Sequence, residues 1–403
     1  MKKLQRLALL LLLFAGASPH LFATKLAEVR VLDRDYIMVI FKDGDVTFVN
    51  DVQQVVRYGT ALNTTNAGLP VNWSLVSSGD PNYGTSRNPT NCYRKSKLNG
   101  MAQMEWLTTV NDYRYEHTME HVMFLKLPFS MVQGRTYTLT INGNTNTDVT
   151  SRTFTYDIFN SRSEALHVNV VGYYPSTGVK AADLYAWLGD GGARDYTAFQ
   201  GRKVYLHNVA TGVATEVGTV TYWKASAGEA QGYNFTQSAV WNVDFTSFTG
   251  TGTYRLAVEG VGCSDDFKID NSVYLDPYKV SVRGFYYMRI GQNNNANLVP
   301  AARTPLYIPN VSPSTTKVYL TTMQPYHPNW TTFAGGDVWD AKDEWAPYVK
   351  PGSPQNPNAW GGHSDAADWD RHLGHVSIIY DLLLPYFLSK GKLSDDNLGI
   401  AES

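Results

Sequence analysis

The run Tyr36-Ile37-Met38-Val39-Ile40-Phe41, followed at once by Lys42-Asp43-Gly44-Asp45, constrains the fold most: β-branched and aromatic residues end on a turn signal. The same texture returns in Thr136-Tyr137-Thr138-Leu139-Thr140-Ile141 before Asn142-Gly143-Asn144. From Val29 to about Tyr156 such runs read as short strands joined by hairpins, which predicts a first β-sandwich over residues 25–160. A second all-β stretch, residues 164–270, opens at Leu166-His167-Val168-Asn169-Val170-Val171-Gly172-Tyr173 and closes near Phe267-Lys268-Ile269. Late in it, Gly252-Thr253-Tyr254-Arg255-Leu256 has the form of a tyrosine corner, whose hydroxyl bonds a nearby backbone group. This second sandwich is expected to fold autonomously.

The N-terminus carries Lys2, Lys3 and Arg6, an apolar run from Leu7 to Ala15, and the small residues Gly16, Ala17 and Ser18. That is the layout of a signal peptide over residues 1–23, cleaved after Ala17 or Ala23, and it predicts a secreted or periplasmic protein. The run is too short for a membrane span and no later one is longer, so membrane insertion is not expected. A net charge of -2 with 17% charged residues gives no basic stripe for nucleic acid. Cys92 and Cys263 fall in different sandwiches and are read as free thiols. The chain holds 26 Tyr, 16 Phe and 10 Trp, an aromatic content that suits a surface handling carbohydrate as well as strand packing.

After Ile269 the pattern turns helical. Asp276-Pro277 reads as a cap and first helical residue, with Tyr278, Val282, Phe285 and Arg289 near helical spacing. A second helix is predicted from His372 to Leu388, with Pro385 kinking it or ending its first part. Between them lies Gly361-Gly362-His363-Ser364-Asp365-Ala366-Ala367-Asp368-Trp369-Asp370-Arg371-His372, where three carboxylates crowd six residues. If this segment is near-helical, Asp365 and Asp368 point the same way and can hold one water, with His363, Arg371 and His372 as donors. Spacing alone equally allows a loop whose Asp residues cap the next helix. Asp337, Asp340, Asp343 and Glu344 offer the oxygen ligands of a structural calcium site, although acidic loop residues are more often simply solvated.

Gly361-Gly362-His363-Ser364-Asp365-Ala366-Ala367-Asp368 resembles the Gly-Gly-x-x-Asp-Ala-Gly-Asp signature of glycoside hydrolase family 9, inverting cellulases built on a double ring of twelve helices. His167 to Tyr173 resembles the opening of the immunoglobulin-like module that precedes the catalytic domain in one branch of that family. Asp244-Phe245 through Leu256 resembles its penultimate strands, Gly284-Phe285-Tyr286-Tyr287-Met288-Arg289 the first catalytic helix, and Leu398 to Ser403 the stretch before the next barrel helix. Residues 25–160 carry no such resemblance and are a sandwich on their strand runs alone. Together the two readings give a multidomain chain of two all-β sandwiches, the second immunoglobulin-like by resemblance, followed by the start of an all-α (α/α)6 barrel over residues 274–403.

The resemblance also implies that Asp368 is the catalytic base and that Asp365 helps to hold the attacking water. An inverting hydrolase sets base and acid ~6.5 to 9.5 Å apart to admit that water. Ala367 departs from the family's Gly and removes the option of positive φ there. Of the aromatics near the motif, Trp360 and Trp369 flank the carboxylates and are the candidates for stacking on substrate, with His363 and Arg371 beside them; Trp330, Trp339 and Trp345 could equally pack loops. No cofactor is required and no metal ligand is assigned. The family's general acid is a Glu late in the catalytic domain, so it is expected beyond Ser403, and the 403-residue chain is expected to be inactive by itself. The implied activity of the complete protein is hydrolysis of β-1,4-glucan by a monomer. The alternatives are an exo-acting β-glucosidase or glucosaminidase of the same family, or a non-catalytic carbohydrate-binding or spacer protein.

Overall fold

The computed structural model describes residues 23–50, 52–228, 237–287, 317, 319–320, 322, 349–358, 364–365, 369–370 and 376–390. The chain divides into two compact units, Met1–Val273 and Tyr274–Ser403.

In the first unit, β1 (Lys25–Asp33) and β2 (Tyr36–Lys42) form a hairpin around the two-residue turn Arg34-Asp35, and β3 (Gly44–Val49) and β4 (Val52–Arg57) form a second. β5 (Trp73–Val76) is followed by a long hairpin, β6 (Asn91–Leu107) and β7 (Asp112–Lys126), and then by β8 (Arg135–Ile141) and β9 (Ser151–Tyr156). Two antiparallel sheets result, in the orders β1-β2-β7-β6 and β5-β8-β9. Ile37, Val39, Phe41, Met123 and Leu125 join Trp73, Leu75, Tyr137, Leu139 and Ile141 in one core. This is the expected first sandwich.

The second sandwich comprises β10 (Leu166–His167), β11 (Ala181–Leu184), β12 (Lys203–Asn208), β13 (Ala214–Thr219), β14 (Thr221–Lys224), β15 (Val240–Asp244), β16 (Gly252–Val258), β17 (Gly262–Cys263) and β18 (Phe267–Ile269). Its sheets run β10-β11-β15-β14 and β13-β12-β16-β17, with β18 also pairing β16. The tyrosine corner is present: Tyr254 is buried, and its hydroxyl donates to the Thr251 carbonyl at 3.1 Å. Val171-Gly172-Tyr173 is equally structural. The Tyr173 ring packs edge-on against Phe245 and Phe267 while its hydroxyl donates to Ala181 O at 2.8 Å. Gly172 has φ +117°, and a Cβ there would stand 2.3 Å from the Lys268 carbonyl, so only glycine fits.

The two sandwiches are not separate bodies. Successive strand residues point to opposite faces, so the partners of Ile37 and Val39 in sequence, Tyr36 and Met38, face away from the first core. With Leu32, Val122 and Phe124 they join the second sandwich's Leu184, Trp241, Leu256 and Phe267 in a single core. The inner part of the sheet β1-β2-β7-β6, β2 with the adjoining residues of β1 and β7, is therefore buried on both faces, and the second sandwich shares its core with the first rather than closing it alone. The boundary expected between residues 160 and 164 runs through packed chain: Ile158, Ser163 and Ala165 are all buried.

Arg194 sits at this junction. Its Nε donates to Asp33 at 2.8 Å and its Nη2 to Asp35 at 3.0 Å, while its guanidinium lies 4.7 Å from the Tyr36 ring centre. The turn it clasps also donates Arg34 N–H to Gly260 O at 2.9 Å and accepts from Met131 N at 2.8 Å. Beside it, the Asp190 carboxylate accepts from the Arg94 N–H at 2.7 Å on β6, and Gly191 packs so closely on Tyr93 that a Cβ would fall 2.4 Å from its ring.

The second unit contains a helix, Leu275–Tyr287, and another, Val376–Leu388. The first begins one residue before the expected cap, so Asp276 lies in the first turn and Pro277 occupies a position whose N–H needs no partner. In the second, Pro385 does not end the helix, which continues to Leu388, and its carbonyl still accepts from Ser389 N at 2.9 Å. Residues 371–375, where that helix was expected to begin, lie outside the described residues.

Burial pushes the Asp33 carboxyl above the usual carboxylate range, against the pull of Arg194. Removing Arg194 leaves an uncompensated buried charge, so Arg194→Ala is expected to destabilise the fold by about 3–5 kcal/mol at pH 7. A folded-state pKa above the unfolded value of ~3.9 means that the folded form keeps its proton over that window, and stability falls as pH rises through it. Denaturant melts should show the deficit of Arg194→Ala smallest near pH ~4 and largest at neutrality. An equal deficit at both would contradict the assignment.

Candidate functional site

The motif that sequence reasoning singled out falls in the second unit. Ser364–Asp365 and Trp369–Asp370, β19 and β20, form an antiparallel pair with Ser364 opposite Asp370 and Asp365 opposite Trp369. At these four residues the backbone is extended rather than near-helical. Asp365 and Trp369 therefore meet through strand register and not through helical spacing. Asp368, Trp360, His363 and Arg371 lie outside the described residues, as do Trp330, Trp339, Trp345, Asp337, Asp340, Asp343 and Glu344.

Among the described residues no group of three or more His, Cys, Asp or Glu side chains is placed to hold a metal, and none of the helices is long and apolar enough to cross a membrane. Cys92 and Cys263 are free thiols, as expected from their positions. Burial pushes them up to about 12 and about 11, which keeps them protonated and poor nucleophiles at neutral pH. His167 is held below its usual value by burial and stacks on Tyr185 with ring centres 4.0 Å apart, a packing role in the second sandwich.

Two features of the first unit were not marked by sequence reasoning. One is a polar cleft of about 350 Å³ on the outer part of the sheet β1-β2-β7-β6, lined by Glu28, Arg30, Lys42, Lys95, Lys97 and Glu120, with Glu164 of the second sandwich at its edge. Its carboxylates are each beside a cation: Glu164 to Lys95 at 2.6 Å, Glu120 to Lys97 at 3.0 Å and Glu28 to Arg30 at 2.6 Å. The charge there is compensated side by side. The other is a set of exposed aromatic rings at the far end of the β6–β7 hairpin, where Trp106 meets Tyr113 with ring centres 4.9 Å apart. Strand alternation in this stretch was the available signal, but the ring pair depends on register, which the two strands set only when paired.

No protein-family model matches the chain. Among curated proteins, Endoglucanase D of Acetivibrio thermocellus is 39% identical over 84 residues, which is 21% of this chain and 13% of that protein. Among solved structures, a metagenome-derived glycoside hydrolase family 9 endoglucanase aligns with a TM-score of 0.30 and 24% identity, over 40% of this chain and 26% of its own. Bacteroides ovatus GH9 aligns with a TM-score of 0.28 and 19% identity, over 40% and 25%. Over 84 of its residues, then, this chain is similar to a curated endoglucanase, and it spans 13% of that relative's length.

Proposed function

We propose that the chain belongs to a secreted, inverting hydrolase of β-1,4-glucan, and that the second unit supplies the catalytic base from the opening part of an (α/α)6 barrel. The observation that carries this reading is the 39% identity with Endoglucanase D, taken with the Gly361-Gly362-His363-Ser364-Asp365-Ala366-Ala367-Asp368 signature. The two helices that bracket the motif, Leu275–Tyr287 and Val376–Leu388, support a helical catalytic domain after two sandwiches, the second of immunoglobulin-like type. The N-terminal basic and apolar segment supports export.

In this mechanism the Asp368 carboxylate takes a proton from a water lying on one face of the scissile sugar. Asp365 accepts a second hydrogen bond from the same water and aims its lone pair at the anomeric carbon. The leaving oxygen is protonated from the opposite face by an acid that no residue of this chain is assigned to supply, and the configuration inverts. Trp360, Trp369, His363 and Arg371 serve as the flanking groups that hold sugar rings. No cofactor enters, and any calcium bound near Asp337 to Glu344 would be structural.

Asp368→Asn removes the base with almost no change in shape. Reducing-end release from a soluble β-1,4-glucan should fall by ~10²- to 10⁴-fold while glucan binding is kept, and Asp365→Asn should lose a comparable or smaller factor. An Asp368→Asn enzyme that retained most of its turnover would refute the assignment.

A further inference from the structure

The β6–β7 hairpin extends beyond the sheet that it helps to form, and its two faces differ. Cross-strand register sets Trp106 opposite Tyr113, Glu105 opposite Arg114, Ala102 opposite Glu116, Met101 opposite His117, Gly100 opposite Thr118 and Leu98 opposite Met119. One face, with Gly100, Ala102 and Thr118, is covered by the β3–β4 hairpin: Ala102 and Thr118 are fully buried, and a Cβ on Gly100 would meet Val46 at 2.7 Å. The same face carries the charges of this region, with Arg114 paired to Glu105 at 2.8 Å and also to Glu116.

The other face is open, and its register positions Leu98, Met101, Gln103, Trp106, Tyr113, Tyr115, His117 and Met119 include no Asp, Glu, Lys or Arg. His117 is the one side chain among them that titrates near neutral pH. Trp106, Tyr113 and Tyr115 are 48%, 38% and 47% exposed, flanked by Leu98 and Met101 at 56% and 58%. Directly opposed aromatic pairs stabilise a hairpin, yet that role does not require three large rings to keep so much surface in water. Trp and Tyr side chains present broad rigid faces at low entropic cost, the property that suits the apolar face of a sugar ring. A stable protein interface engages ~20–30 residues a side, far more than the five or six side chains of this stripe. A stripe of rings and aliphatic side chains with no carboxylate, Lys or Arg in its register matches a neutral polymer better than a charged one.

We propose that this outer face, Trp106, Tyr113 and Tyr115, binds a single neutral β-1,4-glucan chain. The choice of β-1,4-glucan rests on the glucanase reading above. The ring geometry adds a restriction. Trp106 and Tyr113 are inclined at 75° and Tyr113 and Tyr115 at 62°, so the three rings form no flat platform. A flat crystalline face meets at most one ring at a time, whereas a separate chain can twist from one ring to the next. The ligand is thus a soluble or amorphous chain rather than the surface of a crystal.

The test is affinity electrophoresis of the full chain in gels containing hydroxyethylcellulose, with parallel sedimentation with microcrystalline cellulose. All arms carry Asp365→Asn and Asp368→Asn so that neither hydrolysis nor active-site water chemistry intervenes. The parent should be retarded by hydroxyethylcellulose and remain in solution with the crystals. The triple change of Trp106, Tyr113 and Tyr115 to Ala should weaken retardation by about tenfold or more. The triple change to Phe, which keeps the ring faces, should preserve most of it, with melting temperature as the check on folding. Retardation unaffected by the Ala changes, no retardation of the parent, equal capture by crystals, or a change in self-association without a change in retardation would each overturn the proposal. Because the readout is binding, loss of this site leaves the catalytic reading intact, and failure of Asp368 as the base leaves this measurement unaffected.

Discussion

The guanidinium of Arg194, held between Asp33 and Asp35 where two sandwiches meet, is the interaction on which the first unit depends. Asp33 has no exposed surface, and a carboxylate in that position is tolerable only because a bidentate cation reaches it from a loop 161 residues further along the chain. Around that contact the shared core closes, with Tyr36 and Met38 of one sandwich and Trp241 and Phe267 of the other in the same packed cluster. A buried pair of this kind adds little net stability over an apolar substitute. Its weight lies in the penalty for every arrangement that leaves one partner alone, which fixes how the two sandwiches dock.

Much of the β architecture is legible locally. The Tyr254 corner is dictated by a single hydrogen bond and is found where the pattern places it, whereas Lys42-Asp43-Gly44-Asp45 makes only a bend at Asp43, because β3 pairs with β4 and not with β2. The sharing of the core is legible only in hindsight. Tyr36 to Phe41 is unbroken by polar residues, as is Val122 to Leu125, and unbroken apolar runs belong to strands covered on both faces. Nothing in the run says what covers the second face. That information is in Arg194, Tyr196 and Phe199, far along the chain, and no local periodicity connects them to Asp33.

The candidate catalytic site is legible for a different reason. The pattern Gly-Gly-x-x-Asp-x-x-Asp carries chemistry only through its likeness to a family, because spacing alone allows a capped loop as readily as a water-holding pair. Asp365 itself is extended and in register with Trp369, while Asp368, its partner in the water-holding reading, lies outside the described residues. Trp106 and its neighbours escaped notice for the opposite reason: their sequence looks like ordinary strand, and only the register of a long hairpin, with one face covered and the other open, distinguishes them from packing residues.

The central claim is that residues 24–273 are one cooperative body with a common core. Differential scanning calorimetry of that segment tests it directly. The account predicts a single transition whose calorimetric and van't Hoff enthalpies agree. Two resolved transitions, one for each sandwich, would contradict it.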